Sequence, residues 1–363
     1  MRIALEDEGL VVSTMELLSG RSIDELATQK IAACDLSDRN HGVDRRGSMA
    51  VESTLEMPAS PGRQVLRAHF LSRICVQPPY FALEDFSVEK DLTGVELSAR
   101  APVQTWAEHE GGPISGSEAA RHLAILGLCA VSLQNPTEGR VYYPIKTASM
   151  RIDTTLPRIT TATLHIKAIC TSFDLVGGEA CATATMLGES GEVVAFLEVT
   201  YHMIGEHDFS KIFKDYKVET SGAFLPGSPD PYLAWPITPA GTGGEESSPT
   251  QVELGLVEVD MCAGHFDGYP AFPVSVMQRH VTNALTEAVC KANNWRAARV
   301  TMAAGAVITH RFAWAGKHVV LSARREGDGG ANSGEEKWVC DISAEEGAVA
   351  TFKMTLLVEN TGV

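Results

Sequence analysis

The sequence predicts an α+β protein built from two copies of one unit, each a long helix set against an antiparallel sheet. Three observations lead there. The order strand, loop, long helix and four strands occurs twice, on either side of a Pro/Gly-rich break at 206–250. Both helices carry an Arg-His pair at the same distance from their starts: Arg121-His122 lies six and seven residues after Ser115, and Arg279-His280 six and seven after Pro273. A helix with one apolar face on such a sheet forms a small core of its own, and two such units in one chain can pair their sheets as a homodimer would.

Residues 1–80 read as an N-terminal extension, with helices expected over Leu10–Ser19 and Ser22–Cys34 and a polar loop over 35–50, and no functional role follows from them. The first unit is expected over 81–205. Gly94–Thr105 suggests a strand, and Glu110-Gly111-Gly112-Pro113 a loop. Ser117–Leu133 is a helix with Ala119, Leu123, Leu126 and Ala130 on one face, Ser115-x-x-Glu118 at its start and Asn135-Pro136 at its end. Val141–Ile152, Ala162–Phe173, Glu179–Leu187 and Val193–Ile204 read as strands, punctuated by Gly177-Gly178 and Gly191. Five prolines between Pro226 and Pro239 mark 206–250 as a linker. The second unit, 251–363, repeats the order: a strand over Val252–Cys262, a helix over Val274–Ala292, and strands over Val300–Phe312, His318–Arg325, Lys337–Ser343 and Ala348–Val358.

Composition narrows the function. A hydrophobic content of 44% supplies a full core. A net charge of −16, from 46 acidic and 30 basic residues, excludes a nucleic-acid binder and electrostatic docking on anionic lipid. None of the eight cysteines forms a C-x-x-C pair, so a zinc ribbon or thioredoxin-like site is not expected; metal and cofactor are both expected to be none. No apolar run is long enough to span a bilayer, and the opening Met1-Arg2-Ile3-Ala4-Leu5-Glu6-Asp7-Glu8 turns acidic before a signal core develops, so a cytoplasmic protein is the expectation. Neither a P-loop, a G-x-S-x-G elbow nor an H-E-x-x-H is found.

One stretch carries chemistry. Gly264-His265-Phe266-Asp267-Gly268-Tyr269-Pro270-Ala271-Phe272-Pro273 fixes an imidazole on a turn beside a helix start. Histidine is the side chain best suited to move protons near neutral pH. The pattern H-F-x-G-x-P-x-x-P resembles the active-site motif of the hotdog-fold β-hydroxyacyl-thioester dehydratases. In the first unit His109 and Gly112 take the places of His265 and Gly268, without the second proline. The resemblance, over roughly residues 80–360, implies a double hotdog: two units in which a curved sheet wraps a long helix, as a monomer or a homodimer. It implies an acyl-CoA or acyl carrier protein thioester as partner, His265 as the general base, and a β-hydroxyacyl dehydratase-like lyase. A hotdog thioesterase, a decarboxylase or acyltransferase of a polyketide or fatty-acid pathway, and a non-catalytic acyl-binding hotdog are the alternatives.

The resembled dehydratases carry an acid about six residues past the second motif proline, contributed by the opposing unit. Here those slots hold Arg121 and Arg279. An arginine stays protonated and cannot serve as that acid, but its guanidinium can hold a substrate carboxylate or a developing enolate oxygen. Otherwise it is a structural cation bonded to loop carbonyls. Glu118 reads either as a capping-box residue or as a carboxyl facing His265, and Asp267 is the acid inside the motif itself. Gly268, Tyr269 and Phe272 complete the candidate substrate-binding set: Gly268 at the turn, Tyr269 as a phenol for the thioester carbonyl or as packing, Phe272 at the helix mouth.

Overall fold

The computed structural model describes residues 63–91, 94–103, 110–218, 250–326 and 334–362. The helices expected before residue 35, the loop at 35–50, His109 and most of the expected linker lie outside them.

The chain enters through α1 (Arg63–Arg73) and forms β1 (Glu84–Asp91) and β2 (Gly94–Pro102) before α2 (Gly116–Gln134). Strands β3 (Val141–Tyr142), β4 (Ile145–Ile152), β5 (Thr163–Asp174), β6 (Glu179–Leu187), β7 (Val193–His202) and β8 (Ile204–Gly205) complete the first half. A short α3 (Glu206–Ile212) and a 3-10 turn at Lys214–Tyr216 follow. The second half holds β9 (Thr250–Leu256), a 3-10 turn at Val259–Cys262, α4 (Val274–Ala292), β10 (Ala298–Thr309), β11 (His318–Glu326), β12 (Glu335–Ala344) and β13 (Gly347–Asn360).

One eleven-stranded sheet runs β1-β2-β5-β6-β7-β4-β10-β13-β12-β11-β9. With the additional edge strand β1 set aside, numbering the remaining sheet strands of each half by their order in the chain makes β2-β5-β6-β7-β4 and β9-β11-β12-β13-β10 both read 1-3-4-5-2 toward the centre. The halves therefore share one topology. They join where β4 pairs antiparallel with β10, from Thr147 opposite Ile308 to Arg151 opposite Ala304. The fold is a double hotdog.

Period-two burial builds this sheet. Along β6, Ala180, Ala182, Ala184 and Met186 turn inward and their neighbours outward. Their small size lets α2 lie close. Gly127 lies against them: a Cβ there would stand 2.8 Å from the Tyr201 hydroxyl and 3.3 Å from Ala182 Cβ. The Tyr201 hydroxyl donates 2.6 Å to the carbonyl of Ala124 and fixes the helix over β7. Fourteen of the nineteen residues of α2 are buried, because its outer side packs on α4.

Four sequence expectations change. Val141–Ile152 is two strands, because Pro144 has no N–H for the ladder. The strand expected through Cys262 stops at Leu256, and the chain turns into the 3-10 segment capped by Glu258. The expected linker begins with α3, whose Phe209 is fully buried. The capping box of α2 does not form: Ser115 makes no side-chain cap and donates instead to Glu110 Oε1 at 2.7 Å.

Candidate active site

The His265 loop is held from three directions. Gly264 sits at φ +79°, and a Cβ there would stand 2.1 Å from the carbonyl oxygen of Gln77, so only glycine fits. Its own carbonyl accepts the Gln77 N–H at 2.9 Å, and Val76 bridges His265, tying the loop to the chain ahead of β1. On the other side Phe272 N–H donates to the Ala313 carbonyl at 2.8 Å, and Ala315 N–H to that of Pro270 at 3.0 Å. Gly268, at φ +73°, turns the chain so that Phe266 and Tyr269 exchange backbone hydrogen bonds at 3.1 Å. Pro273 then caps α4.

This frame sets the imidazole. His265 Nδ1 lies 3.0 Å from the Ala271 carbonyl, which can only accept, so Nδ1 carries the proton and Nε2 is the basic nitrogen. The ring stacks on Phe266 with centroids 4.0 Å apart and lies 5.1 Å from the ring of Tyr80. Burial lowers the imidazole pKa to about 4, against a smaller upward pull from the Ala271 hydrogen bond. The histidine is therefore neutral at pH 7, the form a base needs. Buried His280 is likewise held at about 4, first by burial and then by the charge of Arg279. Both folded-state values lie below the unfolded value of about 6.5. The unfolded chain thus binds more protons between pH 6.5 and 4, and stability is expected to fall as pH drops through that window. Denaturant midpoints from pH 7 to 4 check this, and a midpoint that stays flat while His265 and His280 variants also stay flat would contradict it.

His265 opens onto a cavity of about 490 Å³ between the halves. The second half contributes Phe272, Val274 and Met277 at the mouth of α4, and the first half contributes Ala124, Ile125 and Leu128 from α2. The facing helix thus presents no carboxyl. Among the described lining residues the acid is Glu346, which pairs with Lys317 at 2.6 Å near His310 and Arg311.

The candidate residues separate accordingly. His265 and Phe272 line this cavity. Glu118 is buried at the start of α2 with Oε1 3.7 Å from His122 Nε2 and is outside the cavity lining. Asp267 is exposed and accepts from both Nη atoms of Arg140 at 3.1 Å. Tyr269 is buried edge-on against Tyr142 and Phe209, and Gly268 accepts the Val218 N–H at 3.0 Å. Arg121 is fully buried, with its guanidinium carbon 5.4 Å from the Tyr80 ring centroid, one ring removed from His265. Arg279 is half-buried on α4, outside the cavity lining. Asp267→Asn is expected to keep turnover within about twofold and to cost at most ~1 kcal/mol, as an exposed ion pair does. A loss of turnover beyond tenfold would return Asp267 to the site.

Two contributions lie outside the sequence reading. Tyr80 lines the cavity from the segment read as an extension, its hydroxyl 2.6 Å from Ser275 Oγ on α4. The turn Gln77-Pro78-Pro79-Tyr80-Phe81 was the available signal: a proline pair that presents an aromatic side chain. Phe213 and Tyr216, from the segment read as linker, close a second wall, with Tyr216 stacked 4.6 Å from Trp314.

No family model matches the chain, and no curated protein matches its sequence. Solved structures align with it at low identity and low TM-score. An acyl-ACP thioesterase from Bacteroides thetaiotaomicron is 7% identical at a TM-score of 0.44, over 72% of this chain and 97% of its own. An acyl-CoA thioesterase II from Mycobacterium marinum is 12% identical at 0.43, over 76% and 96%. The 12:0-ACP thioesterase from Umbellularia californica is 8% identical at 0.45, over 72% and 94%. The site itself is read from this chain's own residues. Among the described residues no helix is long and apolar enough to cross a membrane.

Proposed function

We propose that the chain binds an acyl thioester in the inter-unit cavity and hydrolyses it, with His265 as general base. The observation that carries this reading is a neutral imidazole, its Nε2 basic, on an apolar cavity whose opposite helix offers Ala124, Ile125 and Leu128. Hydrolysis needs one base. Nε2 takes a proton from water while the water oxygen bonds to the thioester carbonyl carbon. The carbon–sulfur bond then breaks, and the imidazolium returns the proton to the leaving thiolate. The first helical hydrogen bond of α4 runs from Met277 N–H to Pro273 O, so the N–H groups before it, beginning at cavity-lining Val274, form the positive helix end for the carbonyl oxygen.

Dehydration requires in addition an acid that protonates the departing hydroxyl, and α2 presents none to the cavity. A panel of saturated, 3-hydroxyacyl and carboxyacyl thioesters of coenzyme A separates the readings. Release of free thiol from saturated and hydroxylated members is the expected result. Enoyl product without thiol would establish the dehydratase, loss of carbon dioxide the decarboxylase, and silence with retained binding the acyl-binding module.

A further inference from the structure

Behind the His265 cavity lies a second, smaller one of about 40 Å³, between α2, α4 and the sheet junction. Its walls are largely apolar: Met150, Leu197, Met302 and Phe352 face it. The two cavities share four lining residues, Tyr80, Ala124, Ile145 and Val274. These four therefore form the partition between them.

Two members of the partition are anchored. Tyr80 is held at its hydroxyl by Ser275, at 2.6 Å, and on its ring face by the Arg121 guanidinium, at 5.4 Å. Val274 is fixed as the first residue of α4. At about 40 Å³ against about 490 Å³, the inner space is a small fraction of the outer one. We propose that the ring of Tyr80, Ala124, Ile145 and Val274 is the stop that sets acyl-chain length at this site. The proposal rests on the acyl-thioester reading above. An acyl chain running inward from His265 ends against this ring, and the inner cavity is the room a longer chain reaches when the ring is widened.

Ile145 and Ala124 are the members that can be resized without disturbing the start of α4 or the bonds of Tyr80. The Tyr201 hydroxyl meets Ala124 at its backbone carbonyl, which a larger side chain leaves in place. The test is the chain-length profile of kcat/KM for saturated acyl-CoA thioesters, together with calorimetric binding of the corresponding non-hydrolysable thioether analogues. Ile145→Ala should move the optimum to longer chains, raising the long-to-short ratio by about tenfold or more for each step past the wild-type limit. Ala124→Leu should move it to shorter chains, and Ile145→Val, the mildest change, should move it the way Ile145→Ala does but less. Unchanged profiles in both measurements, or a parallel loss at every length in variants that melt like wild type, would overturn the stop. If wild type hydrolyses nothing but binds the analogues with a length limit that the variants shift, the hydrolysis reading fails and the stop stands. A wild type that binds no analogue overturns both.

Discussion

Replacing His265 by alanine is expected to lower turnover of acyl thioesters by about 10²–10⁴-fold, the range for loss of a positioned general base. The loss should fall on kcat rather than KM, because Phe272, Val274, Ile125 and Leu128, the cavity walls proposed to hold the acyl chain, are left in place. The fold should survive. The loop keeps its backbone bonds to Gln77, Cys262 and Ala313, and forfeits the Nδ1 bond to Ala271, about 1 kcal/mol. The pH profile gives an independent check. With an imidazole held near 4, wild-type kcat/KM should stay level from pH 7 to about 5 and fall below that as Nε2 takes a proton. Full activity in His265→Ala, or a profile that breaks near 6.5, would remove His265 from the chemistry or place it in a wetter site.

The second large effect is on stability. Arg121→Ala is expected to destabilise the protein by about 3 kcal/mol or more, because it removes a long, fully buried side chain from the second turn of α2. The guanidinium also backs the Tyr80 ring, so the same substitution should loosen the wall beside His265. Arg121→Lys restores charge but not the planar group that lies on the ring, and should recover less than half of the loss. Urea unfolding of the three proteins measures this. A midpoint unchanged in Arg121→Ala, with KM raised instead, would show that the arginine serves the substrate and not the wall.

The unequal fate of these residues shows what a sequence can carry. The helices over Gly116–Gln134 and Val274–Ala292 and most of the strands could be read because their patterns are local: apolar residues three to four apart, or every second residue, decide the buried face. The His265 loop could be read for a related reason, since glycines and prolines dictate a turn within ten residues. What could not be read are meetings between distant segments. Tyr80 joins Ser275 across 195 positions, and nothing local to either residue announces it. Glu118 fits a capping box by spacing, yet Ser115 finds Glu110 and Glu118 finds His122. Asp267 lies in the motif, but the turn at Gly268 leaves its carboxylate exposed toward Arg140. Strand order too is a property of the assembled sheet, not of any strand in it.

The antiparallel junction of β4 with β10 has a consequence for symmetry. Two separate copies of one unit, related by a two-fold axis, would have to carry the same side chains at both ends of their shared interface. Fusion into one chain lifts that obligation, and the two ends have gone separate ways. At the start of α4 the chain keeps an apolar hollow beside an imidazole. At the matching start of α2 the described residues pack closely: a Cβ on Gly116 would meet the Met302 methyl at 2.7 Å, and Ser115 is spent on a buried carboxylate. The fused chain can thus keep one hollow beside the proposed base while the described residues at the other end serve packing, a division of labour that two identical copies could not make.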